Sequence, residues 1–108
     1  PNENMATRVT PEQTYAKLIA ALKVGDLDEA SKQFVAGQQS EWLESLKKIK
    51  EKGLLGAMIV DLDKELGKNM MSGAMAQFMI SIDKDGEKWA RPVDFVKDSN
   101  GDWKIKSL

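Results

Sequence analysis

The fold is decided by the stretch "AMAQFMISIDKDGEKWARPVDFVKDSNGDWKIKSL", residues 74–108. Its beginning alternates between an apolar and a mixed face, and the apolar face holds Ala74, Ala76, Phe78, Ile80 and Ile82. A period of two predicts a β-strand that is buried on one side. Turn signals at residues 83–86 and 98–102 each lead into another strand. The stretch therefore predicts an antiparallel meander of three strands.

The register of these strands follows from their largest side chains. Placing Ile82 opposite Glu87 and Phe95 opposite Ile105 collects the apolar residues on one face, and a slip by one residue would turn them to the other. The collected face holds Phe78, Ile80, Trp89, Val93, Phe95, Trp103 and Ile105. Lysines on the other face of the last strand would discourage a further strand from pairing with this edge.

Helical signals precede the meander. Thr10 and Gln13 form a capping box at the start of a first helix, which ends near Gly25. Residues 26–37 and 39–51 carry the apolar spacing of a second and a third helix. We therefore expect three helices before the sheet.

A further strand is predicted between the helices and the meander. There the apolar period changes to two, because Met58, Val60 and Leu62 alternate with Ile59, Asp61 and Asp63. Residues 64–73 are then a connection. The predicted fold is α+β, with three N-terminal helices packed on a four-stranded antiparallel sheet. Residues 1–9 are expected to be a flexible lead-in, and residues 10–108 a single domain.

Composition excludes several kinds of function. The 108 residues suffice for one domain, and a formal net charge of -1 offers no basic face to nucleic acid. The chain has no Cys and no His, which excludes disulfides, thiolate or imidazole metal sites, and catalysis by cysteine or histidine. No apolar run approaches the ~20 residues of a membrane-spanning helix. No cofactor and no metal site is predicted.

Three charged residues suggest binding chemistry. Arg91 points inward in the predicted register, where a buried guanidinium needs an anion as a partner. It could bind an acidic ligand by a bidentate hydrogen-bonded contact. The alternative is an arginine at a pocket mouth that reaches solvent or a nearby carboxylate. Asp61 and Asp63 share a face of the predicted strand and could do acid–base work or bind a divalent ion, or they could form a solvated strand face.

Several segments resemble the nuclear-transport-factor-2-like superfamily, whose fold is also described as cystatin-like α+β. They are "TPEQTYAKLIAALKVGDLDEASKQF" (10–34), the hairpin series at 74–105 and the closing "GDWKIKSL" (101–108). The similarity is closest to small bacterial domains, often associated with the cell envelope and labelled as lumazine-binding. The superfamily includes isomerases, dehydratases, immunity proteins and transport adaptors, so the resemblance is specific for fold and not for function.

The resemblance implies a curved sheet that the helices close into a cone around a pocket. Carried onto this chain, the candidate ligand-binding residues are Tyr15, Phe34, Trp42, Phe78, Trp89, Arg91 and Trp103. In the superfamily's ketosteroid isomerases a tyrosine and an acid hydrogen-bond the substrate, and these roles would fall to Tyr15 and Asp94. However, Asp94 is expected on the outer face, the only candidate base is Glu41, and the histidine of the dehydratases is missing. These departures favour a protein without enzymatic activity.

The leading interpretation is a non-enzymatic binding or accessory domain with an apolar pocket for a small ligand. One alternative is a pocket enzyme of the isomerase or dehydratase type. Another is a protein-interaction module, in which Met75, Gln77 and Met79 on the outer sheet face would pair two copies. If a signal segment preceded Pro1 and was removed, the domain would be exported or belong to the cell envelope, and otherwise it would be cytoplasmic.

Overall fold

The computed structural model describes residues 8–108, without the side chain of Lys68. In this part of the chain the helices are α1 (Pro11–Lys23), α2 (Leu27–Ser31), α3 (Gln39–Glu51) and α4 (Leu55–Leu62), with a 3-10 turn at Ala36–Gln38. The strands are β1 (Gly67–Ser72), β2 (Met75–Lys84), β3 (Glu87–Lys97) and β4 (Trp103–Ser107), and they form one antiparallel sheet in that order. The predicted α+β class with a four-stranded antiparallel sheet is confirmed. The described residues contain four α-helices where three were predicted.

The first helix begins as its capping box predicts. The Thr10 hydroxyl accepts a hydrogen bond from the Gln13 backbone at 3.1 Å, and the Gln13 side chain accepts one from the Thr10 backbone at 3.0 Å. Just beyond the end of α1, Gly25 adopts φ +76°, a left-handed conformation that costs glycine little. The buried face of α1 consists of Pro11, Thr14, Tyr15, Leu18, Ile19, Ala21 and Leu22.

The prediction of a strand at residues 58–63 is wrong, because residues 55–62 form α4. Leu55, Met58, Ile59 and Leu62 follow the helical spacing i, i+3, i+4, i+7 and pack toward the core. Val60, which the predicted strand would have placed beside Leu62, is 66% exposed, whereas Leu62 is 1% exposed. A short apolar run fits both periods, and here the helical one is realised.

The first strand lies in the segment that was predicted to be a connection. Residues 67–72 form β1, in which Met70 pairs with Gln77 and Met71 with Ala76 of β2. The pairing shifts register between Gly67 and Met70. Four strands are therefore present as predicted, but the first one follows the fourth helix.

The β2–β3 hairpin pairs two residues away from the predicted register. Ile82 lies opposite Trp89, and Phe78 lies opposite Val93. The two-residue turn consists of Asp85 (φ 54°) and Gly86 (φ 79°), both with the positive φ of a type I′ turn. A shift by two residues leaves every side chain on its face, so the inward set was predicted correctly although its partners were not. The predicted pairing of Phe95 with Ile105 is confirmed.

Trp89 is on the inward-facing side of β3 and yet does not belong to the core. Its side chain is 57% exposed, so the prediction that it is buried is wrong. Residues 83–90 are all exposed, which shows that the hairpin extends past the part of the sheet that the helices cover. Ile82, directly opposite, is the last buried residue toward this tip.

The far edge of β4 is paired and not open as predicted. The Ile105 backbone donates to the Gln33 carbonyl at 2.9 Å, and its carbonyl accepts from Val35 at 3.1 Å. The Trp103 backbone donates to the Val9 carbonyl at 3.0 Å. Val9 belongs to the predicted flexible lead-in, residues 1–9, of which residues 1–7 lie outside the described part of the chain.

The core lies between the inward face of the sheet and the helices. Phe34 stacks on Trp42 with ring centroids 4.2 Å apart, and Phe78 meets Phe95 edge to face at 5.5 Å. Trp103 is 1% exposed, and its carbonyl accepts a hydrogen bond from the Thr14 hydroxyl at 2.5 Å. This hydrogen bond joins α1 to β4.

The helical structure of residues 55–62 predicts different costs for two neighbouring substitutions. Leu62→Ala should lower the free energy of unfolding by about 2–5 kcal/mol, because it leaves a cavity in the core. Val60→Ala should change it by no more than about 0.5 kcal/mol, because the side chain is mainly exposed. Urea unfolding followed by circular dichroism measures both. Similar costs for the two would contradict a helix here, since in a strand both side chains would share one face.

Candidate functional site

Tyr15 is held at the junction of α1 and α4. Its ring is 4% exposed, and its hydroxyl donates to the backbone carbonyl of Leu62 at 2.5 Å. Leu62 is the last residue of α4, where helical carbonyls have no partner within the helix. The same carbonyl also accepts from the Lys64 backbone at 2.7 Å. Tyr15 therefore satisfies a helix end and fixes where α1 crosses α4.

A groove of about 620 Å³ runs beside Tyr15, between α1 and the segment that connects α4 to β1. Tyr15, Ile19 and Leu66 contribute apolar surface to its walls. Lys23 and Asp63 also line it and form an ion pair at 2.7 Å, with both side chains about half exposed. Such an exposed pair contributes little stability.

Burial keeps the Tyr15 hydroxyl protonated. Removal of the phenol from water raises the pKa of Tyr15 from 10.0 to about 12. The nearby cation of Arg91 lowers this pKa, and the anion of Asp63 raises it further. Tyr15 therefore remains a protonated hydrogen-bond donor at pH values where an exposed tyrosine would already ionise.

Arg91 is the cation of the sheet whose charge acts on Tyr15. It lies on the inward face of β3, opposite Ile80, and is half-buried. Among residues 8–108 its guanidinium has no hydrogen-bond or ion-pair partner. A partly desolvated guanidinium attracts anions more strongly than one in water, because the local dielectric is lower. The charge of Arg91 is near enough to Tyr15 to lower the pKa of its hydroxyl, but Arg91 does not line the groove beside Tyr15.

The other predicted pocket residues lie elsewhere. Phe34, Phe78 and Trp103 are between 0% and 3% exposed and fill the core. Trp42 lines a separate groove that includes Leu108 and measures about 340 Å³. Trp89 lines another, beside the exposed hairpin, of about 490 Å³. The predicted set thus does not line a single cavity.

The carboxylates singled out from the sequence do not converge on Tyr15 as a group. Asp94 lies on the outer face, as expected, and accepts hydrogen bonds from Gln77 and Ser107, each at 2.8 Å. Asp61 pairs with Lys84 at 3.2 Å, and Asp63 with Lys23. Glu41 is exposed on α3. Within the described part of the chain, no group of three or more acidic side chains could hold a metal ion.

The outer face of the sheet carries no helix among the described elements. Met75 is 48% exposed, and Gln77 and Met79 are half-buried beside it. Met70 of β1, which pairs with Gln77, adds a side chain that is 71% exposed. The predicted interaction residues therefore do lie together on an uncovered surface.

Sequence reasoning missed Leu66, Lys23 and Asp63 as parts of the groove. The signal that could have found them is the helical spacing of residues 55–62, which was interpreted as a strand. As a helix, this segment ends at Leu62, whose carbonyl binds the Tyr15 hydroxyl. No helix in the described range is long and apolar enough to cross a bilayer. No family model matches this chain, and no curated protein matches it.

The chain contains a single tyrosine, so its titration can be followed without interference from another phenol. We expect phenolate absorbance to appear with a midpoint near pH 12. Arg91→Met should raise this midpoint, because a cation is removed, and Asp63→Asn should lower it. A midpoint near 10 in the folded protein would contradict the burial of the hydroxyl.

The same shift links Tyr15 to stability. The folded-state pKa lies above the unfolded one, so the stabilisation is complete below about pH 10 and is lost as pH rises through about 12. Tyr15→Phe should be destabilised by about 0.5–1.5 kcal/mol at neutral pH, because one hydrogen bond to the Leu62 carbonyl is lost while that carbonyl keeps the Lys64 backbone as a donor. Its stability should also fall less between pH 10 and 12 than that of the unaltered chain, which chemical unfolding at several pH values would show.

Proposed function

We propose that this chain is a non-enzymatic binding domain that holds a small, acidic and partly apolar molecule beside Tyr15 and Arg91. The observation that carries the proposal is the half-buried Arg91, which has no hydrogen-bond or ion-pair partner among the described residues and lies near a buried, protonated tyrosine. An anion would complete the hydrogen bonding of the guanidinium. Arg91 does not itself line the groove beside Tyr15, so the molecule would extend from Arg91 to the groove wall, where its apolar part would lie along Ile19 and Leu66.

The arrangement of acids supports binding over catalysis. An isomerase of the kind considered above needs a tyrosine and an acid on one side of the substrate. Tyr15 lies on the helix-covered face of the sheet, whereas Asp94 lies on the other face and already accepts hydrogen bonds from Gln77 and Ser107. The Tyr15 hydroxyl is itself bound to a backbone carbonyl. Neither group is free to act on a shared substrate atom.

We further propose that the fold belongs to the nuclear-transport-factor-2-like superfamily, with a sheet that the helices close into a cone. Helices that precede an antiparallel meander and pack on one of its faces support this proposal. The pairing of β4 with the segment after α2 supports it too, because it brings the helices to the edge of the sheet. In this proposal the wide part of the cone is filled by aromatic rings, and the ligand site is at the Tyr15 end.

Binding of paired fluorescent probes would test the role of Arg91. Anilinonaphthalene sulfonate carries an acid on an apolar ring system, and N-phenylnaphthylamine has the same rings without the acid. We expect the chain to bind the sulfonate more tightly, and Arg91→Met to weaken that binding by about 10- to 100-fold, as expected for loss of a charged hydrogen bond. Arg91→Lys should give an intermediate affinity for the sulfonate, because lysine keeps the positive charge but lacks the planar guanidinium that binds an anion through two hydrogen bonds.

Lys88→Met is the matched control for this experiment, because Lys88 is an exposed cation on the other face of the same strand. It should bind both probes like the unaltered chain. Equal affinity for the two probes, or a sulfonate affinity unchanged by Arg91→Met, would refute the proposal. Thermal unfolding of each variant would show that the probes report on the folded state.

A protein-interaction module is the second candidate, and the uncovered outer face favours it. Met70 and Met75 present flexible apolar side chains there, which adapt readily to a partner surface. The polar atoms of Gln77 and Asp94 are hydrogen-bonded to each other, so covering them would leave fewer groups unsatisfied. We propose that a second copy of the chain pairs on this face.

Sedimentation velocity over a range of concentrations would test this pairing. The unaltered chain should associate, and Met75→Glu should weaken the association at least tenfold, because it places two like charges near a two-fold axis. Lys17→Glu, on the exposed side of α1, should leave the association unchanged. A monomer at all concentrations would rule out the pairing and leave the ligand proposal intact.

A further inference from the structure

Large aliphatic side chains are exposed on the helical side of the molecule, away from the sheet. Val24 is 80% exposed, Leu54 is 52% exposed and Val60 is 66% exposed. Val24 follows the end of α1, Leu54 connects α3 to α4, and Val60 lies within α4. None of them has a role in the groove beside Tyr15 or on the outer sheet face.

Contacts between the helix ends bring the segments that carry these side chains together. The Leu54 backbone donates to the Ile49 carbonyl at 3.0 Å, which holds it against the last turn of α3. A Cβ added at Gly25, next to Val24, would lie 3.7 Å from the Lys50 ammonium of the same turn. The ion pair between Lys23 and Asp63 joins the end of α1 to the end of α4. The ends of α1 and α3 therefore meet beside α4.

Helix α4 is apolar except at Asp61, which pairs with Lys84. Its sequence is "LGAMIVDL", in which Asp61 is the only charged residue. Leu55, Met58, Ile59 and Leu62 pack toward the core, while Gly56, Ala57 and Val60 are exposed. Helices that are apolar on all sides are usually buried, so the outer side of α4 is suited to an apolar environment that the chain itself does not provide.

Lysines border this apolar surface. Lys47, Lys48, Lys50 and Lys52 are exposed in the last turns of α3 and just after it. Among the described residues none of the four forms an ion pair. Acids lie among these lysines: Glu44 and Glu51 are each one helical turn from Lys47 and Lys48 on α3. Asp26 and Asp28 of the α2 region share a groove with Lys47, Lys50 and Glu51. Lys48 and Lys52 do not line that groove and extend from the helix four residues apart.

We propose that this surface, formed by Val24, Leu54 and Val60 with Lys48, Lys50 and Lys52, docks on an anionic lipid bilayer. Lysines are attracted to acidic headgroups, and aliphatic side chains between them enter the boundary with the acyl chains. A second copy of the chain is a poorer occupant. In a two-fold dimer centred on this surface the lysines would face their own counterparts and repel.

Co-sedimentation with vesicles tests the proposal. The full chain is mixed with vesicles of phosphatidylglycerol and phosphatidylcholine, or of phosphatidylcholine alone, at low and high salt. We expect binding only to the anionic vesicles, and weaker binding at high salt because the charges are screened. Lys48→Gln combined with Lys52→Gln should lower the partition coefficient about 10- to 30-fold. Val60→Ser should also lower the partition coefficient, because it removes an exposed apolar side chain while all the lysines remain.

Lys88→Gln combined with Lys106→Gln is the matched control, since it removes the same charge from exposed positions on the sheet. It should change the partition coefficient less than threefold. Absence of binding to anionic vesicles would overturn the proposal, and so would equal losses for the two lysine pairs or no effect of Val60→Ser. A dimer that Val60→Ser dissociates would overturn it too, because it would assign the surface to a second copy. All of these positions are exposed, and thermal unfolding would confirm that each variant is folded.

Discussion

Side chains along a β-strand alternate between the two faces of the sheet, and this constraint determines where the helices lie. The inward face carries Ala76, Phe78, Ile80, Ile82, Val93, Phe95, Trp103 and Ile105, all buried. Removal of this face from water requires a cover, which the apolar stripe of α1 and the segment around Phe34 provide. The edge of β4 must also satisfy its peptide groups, and the backbone of Val9 and Gln33 does so.

The same cover decides where a ligand can bind. Aromatic rings pack closely where the helices and β4 overlap, and Phe34, Phe95 and Trp103 are buried there. The β2–β3 hairpin continues past the helices, so the inward face changes from buried to exposed near Arg91 and Trp89. At this boundary a charged side chain can be partly desolvated without being wholly enclosed. Tyr15 is held by the end of α4, and the positive charge of Arg91 lowers the pKa of its hydroxyl.

The remaining surfaces differ in their chemistry. The outer sheet face presents methionines around a hydrogen-bonded Gln77 and Asp94, which suits a protein surface. The surface at the ends of α1 and α3 presents aliphatic residues among lysines, which suits an anionic bilayer.

The sequence by itself determined the α+β class and the inward set of β2 to β4, because a long alternating stretch bounded by turn residues has one interpretation. It also determined the start of α1 through the capping box at Thr10. Tertiary structure decided the rest. The apolar run at residues 54–62 fits both periods, and packing of Leu62 selects the helix. The register of β2 and β3 is an exception, because the local two-residue turn at Asp85 and Gly86 sets it. The apolar pattern could not reveal it, since a shift by two residues leaves the faces of both strands unchanged. The approach of Arg91 to Tyr15 depends on how α1 crosses the sheet, which no local pattern in the sequence encodes.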